Sequence, residues 1–356
     1  MKGLLLAGGH GTRLRPLTFT GNKHLLPIAN KPMILYGLGH LINAGITEIA
    51  VILGPIKEGV VELLGDGSKF GAKITYIEQP EPRGLAHAVM VSEQFMKGEP
   101  FVMYLGDNLL KQGAKPLVEI FERKGADCVI AVAEVKDPSR YGVVVLNQDG
   151  TVQKLVEKPR ERVSNKALVG VYVFNHKIFD SIKKIKPSWR GELEITDAVQ
   201  TLLDKGAKIE VQVVQGWWKD TGRPEDVLEA NQLVLRDLNP LNEGRIEEGV
   251  TVSGDIRIGK NTIIHSRTTV RGPAIVGEHC EIGPDAYIGP YTSIGNDATI
   301  RNSEVENSIV MDGSYIECGK RITDSLIGTK VKVVSSENNI PRGLKLILGD
   351  MTYVSI

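Results

Sequence analysis

The sequence predicts an α/β domain with a mostly parallel sheet, followed by a parallel β-helix. Short, continuously apolar runs alternate with helical patterns as far as about residue 240, and beyond Asn239-Pro240 an aliphatic residue recurs every six positions. The runs Gly3–Ala7, Ile49–Leu53, Phe101–Leu105 and Cys128–Val132 read as strands buried on both faces, the mark of a parallel sheet covered by helices. Between the first two lies Pro32–Ile42, a helical pattern with proline near its start and Gly45 near its end. In such sheets ligands bind beyond the carboxyl ends of the strands, so chemistry is expected in the loops that follow them.

The six-residue period runs through Ile246, Val252, Ile258, Ile264, Val270, Val276, Ile282, Ile288, Ile294 and Ile300. Three six-residue faces make one coil of a β-helix, with the aliphatic side chains stacked inside. An amphipathic helix is excluded, because a period of six does not keep one helical face apolar. The register breaks after Ile300 and resumes at Val310, Ile316 and Ile322, which predicts a loop or irregular corner over 301–309. The expected domains are therefore 1–240 and 241–356.

Lysine plus arginine equals aspartate plus glutamate, 43 each over 356 residues. No global field draws the chain to nucleic acid or to an anionic membrane, so any phosphate binding must be local. Cys128, Cys280 and Cys318 are widely spaced, with no CxxC pair, which argues against a disulfide framework or a zinc site and fits a reducing cytoplasm. No apolar run approaches the length of a membrane span, so a soluble protein is expected.

The loop after the first strand carries Gly8, Gly9 and Gly11, then Thr12, Arg13 and Arg15. Glycines let backbone N–H groups approach a phosphate chain, and Arg13 adds a fork of donors for charge that grows on transfer. The lysine-plus-Ser/Thr ending of a P-loop is missing, and Leu14 stands where a dinucleotide fingerprint needs its third glycine. A plain glycine turn between strand and helix stays open on this loop alone. Asp107 in LGDN and Asp220 in WWKDTG follow apolar runs; two carboxylates at strand ends suit Mg²⁺, which keeps waters and needs few protein ligands, though each aspartate alone could be a turn residue or a cap. In VEKP, Glu157 offers an acceptor for sugar hydroxyls beside Lys158, a cation for a sugar phosphate; by itself the triplet is a solvated strand end.

Taken together, LAGGHGTRLRPLT, NKHLLPIANKPMI, EQPEPRGLAHAV, LGDN, RYGVV, VEKP, RGELEITD and WWKDTG resemble, in order, the motifs of the sugar nucleotidylyltransferase family. The resemblance spans residues 1–240 and is strongest to the glucose-1-phosphate thymidylyltransferases, particularly the long form with a C-terminal left-handed β-helix. It implies a Rossmann-like first domain and a reaction in which the phosphate of glucose 1-phosphate attacks the α-phosphorus of dTTP and expels pyrophosphate, with Mg²⁺ as cofactor. On the matching positions it implies a nucleotide site of Leu6, Gly8, Gly9, Gly11, Thr12 and Arg13, with Arg13 and Lys23 on the triphosphate and Gln79 and Gly84 reading the base. Lys158 would aim the sugar phosphate, Gly142, Glu157 and Val169 would fix the hexose, and Asp107 and Asp220 would hold the metal. Chemistry of this kind needs positioning and charge neutralisation more than acid–base groups. His24 departs from the glutamine usual at that position in short bacterial relatives. Arg190 and the acids Glu192, Glu194 and Asp197 surround a helix expected to support the sugar pocket.

The β-helix is expected to assemble the chain into a homo-oligomer. Acetyl transfer there would have to use His265 or His279, one following an inward aliphatic and the other at a turn. UTP or another hexose phosphate as substrate, and a silent regulatory subunit, are the competing readings of the first domain.

Overall fold

The structure is a computed structural model and describes residues 1–335, so the last residues of the 241–356 module lie outside it. The chain divides into two compact units, and the division is not a single cut. One comprises Met1–His10, Gly21–Leu25 and Met33–Asp220; the other comprises Gly11–Thr20, Leu26–Pro32 and the chain from Thr221 onward.

The first unit is built on a nine-stranded sheet. Its strands are Lys2–Ala7 (β1), Glu48–Leu53 (β2), Lys73–Glu78 (β3), Phe101–Leu105 (β4), Cys128–Glu134 (β5), Gly142–Leu146 (β6), Val152–Glu157 (β7), Lys166–Phe174 (β8) and Ile209–Val213 (β9). Their order is β7-β6-β8-β4-β1-β2-β3, with β5 beside β8 and β9 beside β5. The segment β3-β2-β1-β4 is parallel throughout. Helices Ile34–Asn43, Glu58–Leu64 and Leu85–Val91 lie in its crossovers. From β8 outward the sheet is mixed, because β8 runs antiparallel to both β4 and β5, and β6 and β7 form a hairpin too short for a crossover. Along β1, Leu4 and Leu6 enter one apolar layer while Leu5 and Ala7 enter the other, as alternation across a doubly covered sheet requires. Each such leucine buried from water contributes about 1.5–3 kcal/mol. Strand order reverses at β1, flanked by β2 and β4, which makes the carboxyl ends of β1 and β4 the switch point.

The second unit contains a left-handed parallel β-helix of three sheets. Ile246, Ile264, Ile282, Ile300, Ile316 and Val333 stack in register on one face; Val252, Val270, Ile288, Val305 and Ile322 stack on the next. Corner residues such as Asn261, His279, Asp285 and Asp297 turn in the left-handed region, where Asn and Asp are best tolerated. Of the two alternatives over 301–309, the irregular corner forms and the loop does not. A strand, Glu304–Glu306, keeps the fold there, with Val305 buried in the inward position and paired to Ile288. The sequence break reflects two shortened corners, between Ile300 and Val305 and between Val305 and Val310, rather than a lost face. Helix Pro224–Leu235 also belongs to this unit. Among the described residues no helix is long and apolar enough to cross a membrane.

Candidate active site

A cleft of about 210 Å³ opens at the carboxyl ends of the parallel strands of the first unit. Leu6, Gly8 and Gly9 line it from the end of β1, Ile52 from β2, Gln79 from the end of β3, and Leu105 and Asp107 from the end of β4. Lys23, His24, Gly84 and Glu192 complete its polar wall. Leu6, Gly8, Gly9, Lys23, Gln79, Gly84 and Asp107 are thus brought together by residues well separated in the chain.

Lys23 sits in a short 3₁₀ turn, Lys23–Leu25, and its ammonium is paired with the Asp107 carboxylate. A side chain at Gly9 would have its Cβ 3.2 Å from that nitrogen, so glycine keeps space for the ammonium. Burial acts to raise the Asp107 carboxyl, but the adjacent Lys23 charge, with help from the hydrogen bond of Asn108, outweighs it and holds the group well below its ordinary range. Asp107 is therefore an ionised carboxylate facing a cation. Asp220 is delivered by a small antiparallel ladder, Asn108–Leu110 with Trp218–Asp220, whose register puts Asp220 opposite Asn108, next in sequence to Asp107. Two carboxylates at one end of this ladder, Asp220 on it and Asp107 just before it, suit a divalent ion that takes one or two carboxylates and completes its shell with phosphate and water. Among the described residues no group of three or more metal-ligating side chains is present.

Asn22 and Asn108 are the organisers that sequence reasoning did not single out. Asn22 is buried and donates both amide hydrogens, to the carbonyls of Ala7 at 3.0 Å and Ile56 at 2.8 Å. Its oxygen therefore faces His24, accepting from the backbone N–H at 2.9 Å and contacting Nδ1 at 2.6 Å. That oxygen only accepts, so Nδ1 carries the proton, and Nε2 is left as a bare acceptor on the side of Gly106 and the cleft. Burial first, and the Lys23 charge second, lower the imidazole to about 3 against an opposing pull from Asp107, so His24 is neutral at physiological pH. Asn108 is buried; its amide nitrogen donates to Asp107 Oδ1 at 3.0 Å, and its oxygen accepts from Trp218 Nε1 at 2.7 Å and Gly170 N at 3.2 Å. A single side chain thus links Asp107, the Asp220 strand and β8. LGDN already displayed this asparagine; its role is tertiary and left no periodic signal.

Gln79 is buried and donates from Nε2 to the carbonyl of Gly84 at 3.2 Å, while its Oε1 lies against Gly8. Gly84 has φ 99° and packs directly on the backbone of Leu193. The Leu193 N–H donates to Arg83 O and the Leu193 carbonyl accepts from Ala86 N, which fastens RGELEITD to the loop carrying Gly84 and places Glu192 in the cleft wall. Arg190 bonds Glu192 at 2.7 Å and the buried Glu194 at 3.0 Å, so within this motif Arg190 and Glu194 form an internal brace.

Of the residues expected to hold the sugar, Gly142, Glu157 and Lys158 gather in a second cluster. Gly142 is paired with Glu157 across the β6–β7 hairpin, and Glu157 accepts from Thr196 Oγ1 at 2.7 Å. A Cβ at Gly142 would lie 2.6 Å from that hydroxyl and 2.9 Å from the carboxylate, so glycine is what lets them approach. Lys158, at φ 40°, is half-buried with Nζ 3.7 Å from Glu157. Val169 is buried in β8. Burial raises the Glu157 carboxyl, opposed by the Thr196 bond and reinforced by Glu194. For an acid with a raised folded value, the ionised form is the one disfavoured by folding. The penalty is absent below the unfolded value, grows as pH rises from there and is complete above the folded one. Glu157→Gln is accordingly expected to make the melting temperature flatter with pH just above the ordinary carboxylate range. A raised KM for the sugar phosphate by about tenfold, worth about 1.4 kcal/mol, should accompany it. An unchanged pH profile and KM would remove Glu157 from the site.

Gly11, Thr12 and Arg13 belong to the second unit. Gly11, at φ 62°, opens the 3₁₀ turn Thr12–Leu14, and Thr18 Oγ1 ties the loop back to Gly11 O at 2.7 Å. The Arg13 guanidinium rests on Gly222 of WWKDTG, where a Cβ would stand 2.8 Å from Nη2. Gly222→Ala should displace that guanidinium at little cost to folding, since the clash is with the far end of a flexible side chain. The expected result is turnover lowered about tenfold or more with a nearly unchanged melting temperature; wild-type turnover would mean that the guanidinium position is immaterial.

His265, on the β-helix, has Nδ1 3.3 Å from Glu247, and His279 is a left-handed corner residue.

Residues 2–237 match the family described as nucleotidyl transferase, and residues 270–350 match the GMPPB C-terminal domain. The chain is 47% identical to the low-salt glycan biosynthesis nucleotidyltransferase Agl11 of Haloferax volcanii, covering 100% of both chains. It is 46% identical to a glucose-1-phosphate thymidylyltransferase of Streptomyces antibioticus, covering 100% of this chain and 99% of that one. Among solved structures, a Bacillus anthracis protein assigned as a glucose-1-phosphate thymidylyltransferase, in complex with sucrose, superposes with a TM-score of 0.63 at 39% identity, over 68% of this chain and 98% of its own. A UDP-glucose pyrophosphorylase complexed with UDP-glucose gives 0.60 at 28% identity, over 66% and 98%. With residues 2–237 matched to its model and full-length relatives at 46–47% identity, the chain belongs to the nucleotidyl transferase family.

Proposed function

We propose that this chain transfers the thymidylyl group of dTTP to the phosphate of glucose 1-phosphate, giving dTDP-glucose and pyrophosphate. The observation that carries the reading is the switch-point cleft, where Gly8, Gly9, Lys23, Gln79, Gly84 and Asp107 converge. In this reading Gln79 and the backbone at Gly84 read the base, and Leu6, Gly8, Gly9, Gly11 and Thr12 cradle the nucleotide. Arg13 and Lys23 neutralise the triphosphate and the departing pyrophosphate. Lys158 aims the sugar phosphate, and Gly142, Glu157 and Val169 hold the hexose. Asp107 and Asp220 would hold Mg²⁺, which when bound supplies charge neutralisation at the α-phosphate. Lys23, paired with Asp107 here, would turn its ammonium to the phosphates. A sugar-phosphate oxygen forms the new bond to the α-phosphorus as the bond to the pyrophosphate oxygen breaks, and no proton transfer to the protein is required. The names of the Streptomyces and Bacillus relatives support thymidylyl and glucose; the UDP-glucose pyrophosphorylase makes UTP the alternative nucleotide.

The chain is proposed to act in the cytoplasm, as a homo-oligomer assembled through the β-helix, with domains at 1–240 and 241–356. Pyrophosphate release measured alongside binding of dTDP-glucose tests whether the chain is a catalyst. Release with dTTP and glucose 1-phosphate is expected; binding without release under any substrate pair would make it a regulatory subunit.

A further inference from the structure

The β-helix unit contains a turn that its own sequence does not favour. Pro27–Ile28 and Lys31–Pro32 form a tiny hairpin whose central residues, Ala29 at φ 47° and Asn30 at φ 60°, are both left-handed. Such turns ordinarily require Asn-Gly or Asp-Gly; alanine has neither the freedom of glycine nor a side chain able to bond locally. A strained turn persists only where its surroundings over-determine it, and strain of this kind collects at functional sites.

The surroundings are a polar knot. Asn231, on helix Pro224–Leu235, is completely buried; its oxygen accepts from Ala29 N at 2.8 Å and from the buried Ser293 Oγ at 2.7 Å, and its nitrogen donates to Tyr291 O at 3.0 Å. Asn30 Nδ2 donates to Ile294 O. Every one of these β-helix partners lies on a single coil, residues 291–294. A second tether involves the loop that carries Arg13, where Leu17 packs against Gly328 of a later coil. Residues 11–20 and 26–32 are thus both fastened within the β-helix unit, and the chain between them, 21–25, carries Lys23 and His24.

We propose that the β-helix is a positioning element for nucleotide binding: the Asn231–Ser293 knot and Asn30 hold the Ala29-Asn30 turn, which fixes the segment bearing Lys23. The β-helix in this account acts through the hairpin and touches no reacting atom. The role assigned to Lys23 rests on the proposed function.

The test compares full-length wild type with Asn30→Gly, Asn231→Ala and Gln232→Ala. Glycine at position 30 suits the left-handed turn and removes only the bond to Ile294. Gln232 donates to Asn307 at 2.8 Å from the same helix and does not touch the hairpin. The expected result is a KM for dTTP raised about fivefold or more in Asn30→Gly, with the KM for glucose 1-phosphate and the melting temperature near wild type. Asn231→Ala should show the larger shift, and Gln232→Ala none. Wild-type KM for dTTP in Asn30→Gly overturns the proposal, even if Asn231→Ala fails to fold. Should wild type release no pyrophosphate, the activity reading fails by itself. Dissociation constants for dTTP with Mg²⁺ then replace KM, and an unshifted value in Asn30→Gly again overturns the proposal.

Discussion

Asp107→Asn is expected to lower turnover by about 10²–10³-fold, the usual loss when one preorganised electrostatic contact to a transition state is removed. The change keeps the shape of the side chain and retains an oxygen able to accept from Lys23, so the fold should survive. What is lost is the full charge that Lys23 keeps ionised at the strand end against the opposing effect of burial. Turnover measured across a magnesium titration, with the melting temperature recorded in parallel, checks this. A variant with wild-type turnover at limiting magnesium would discard Asp107 as a metal ligand.

Gly84→Ala is expected to be comparably severe by a different route. Its Cβ would stand 2.4 Å from Leu193 O and 2.8 Å from Leu193 N, both backbone atoms, at a φ of 99° that L side chains rarely adopt. Neither clash is relieved by rotating a side chain. Backbone strain of this kind costs on the order of 1–3 kcal/mol, and the relief available is to part the loop of Gly84 from the segment at Leu193. That movement would pull Glu192 and Gln79 out of the cleft wall together. The expected outcome is a KM for the nucleotide raised by about tenfold or more, together with a lower melting temperature. If both stay at wild-type values, the close approach of these segments does not support nucleotide binding.

The fold was legible where a periodic signal carried it. The apolar runs at Gly3–Ala7, Ile49–Leu53 and Phe101–Leu105 are strands of the parallel core, and the hexad positions from Ile246 to Ile300 stack in register. The orientation of β8 was not legible, because it depends on which strands it meets and not on its own apolar pattern. The hexad break marked irregular corners but hid the face that continues through them. Dropping a residue at a corner shifts the count without removing the inward aliphatic, here Val305.

In the site, glycines and charges announced themselves through motifs that end strands, and the cleft gathers Gly8, Gly9, Lys23, Gln79, Gly84 and Asp107. The residues that orient them did not. Asn22 fixes the tautomer of His24, and Asn108 ties Asp107 to Trp218 and Gly170, through bonds spanning as many as 110 residues. A buried asparagine looks like any loop asparagine until its partners are known. The membership of residues 11–20 and 26–32 in the β-helix unit was equally invisible, since it depends on Asn231 meeting Ala29 and Ser293.

The measurement that bears most directly on the account is pyrophosphate release by the purified chain, crossing dTTP, UTP, ATP, GTP and CTP with the 1-phosphates of glucose, galactose, mannose and N-acetylglucosamine. The predicted result is the highest kcat/KM with dTTP and glucose 1-phosphate, a requirement for a divalent cation, and dTDP-glucose as the product by mass. A clear preference for GTP with mannose 1-phosphate would contradict it, as would the absence of pyrophosphate with every pair.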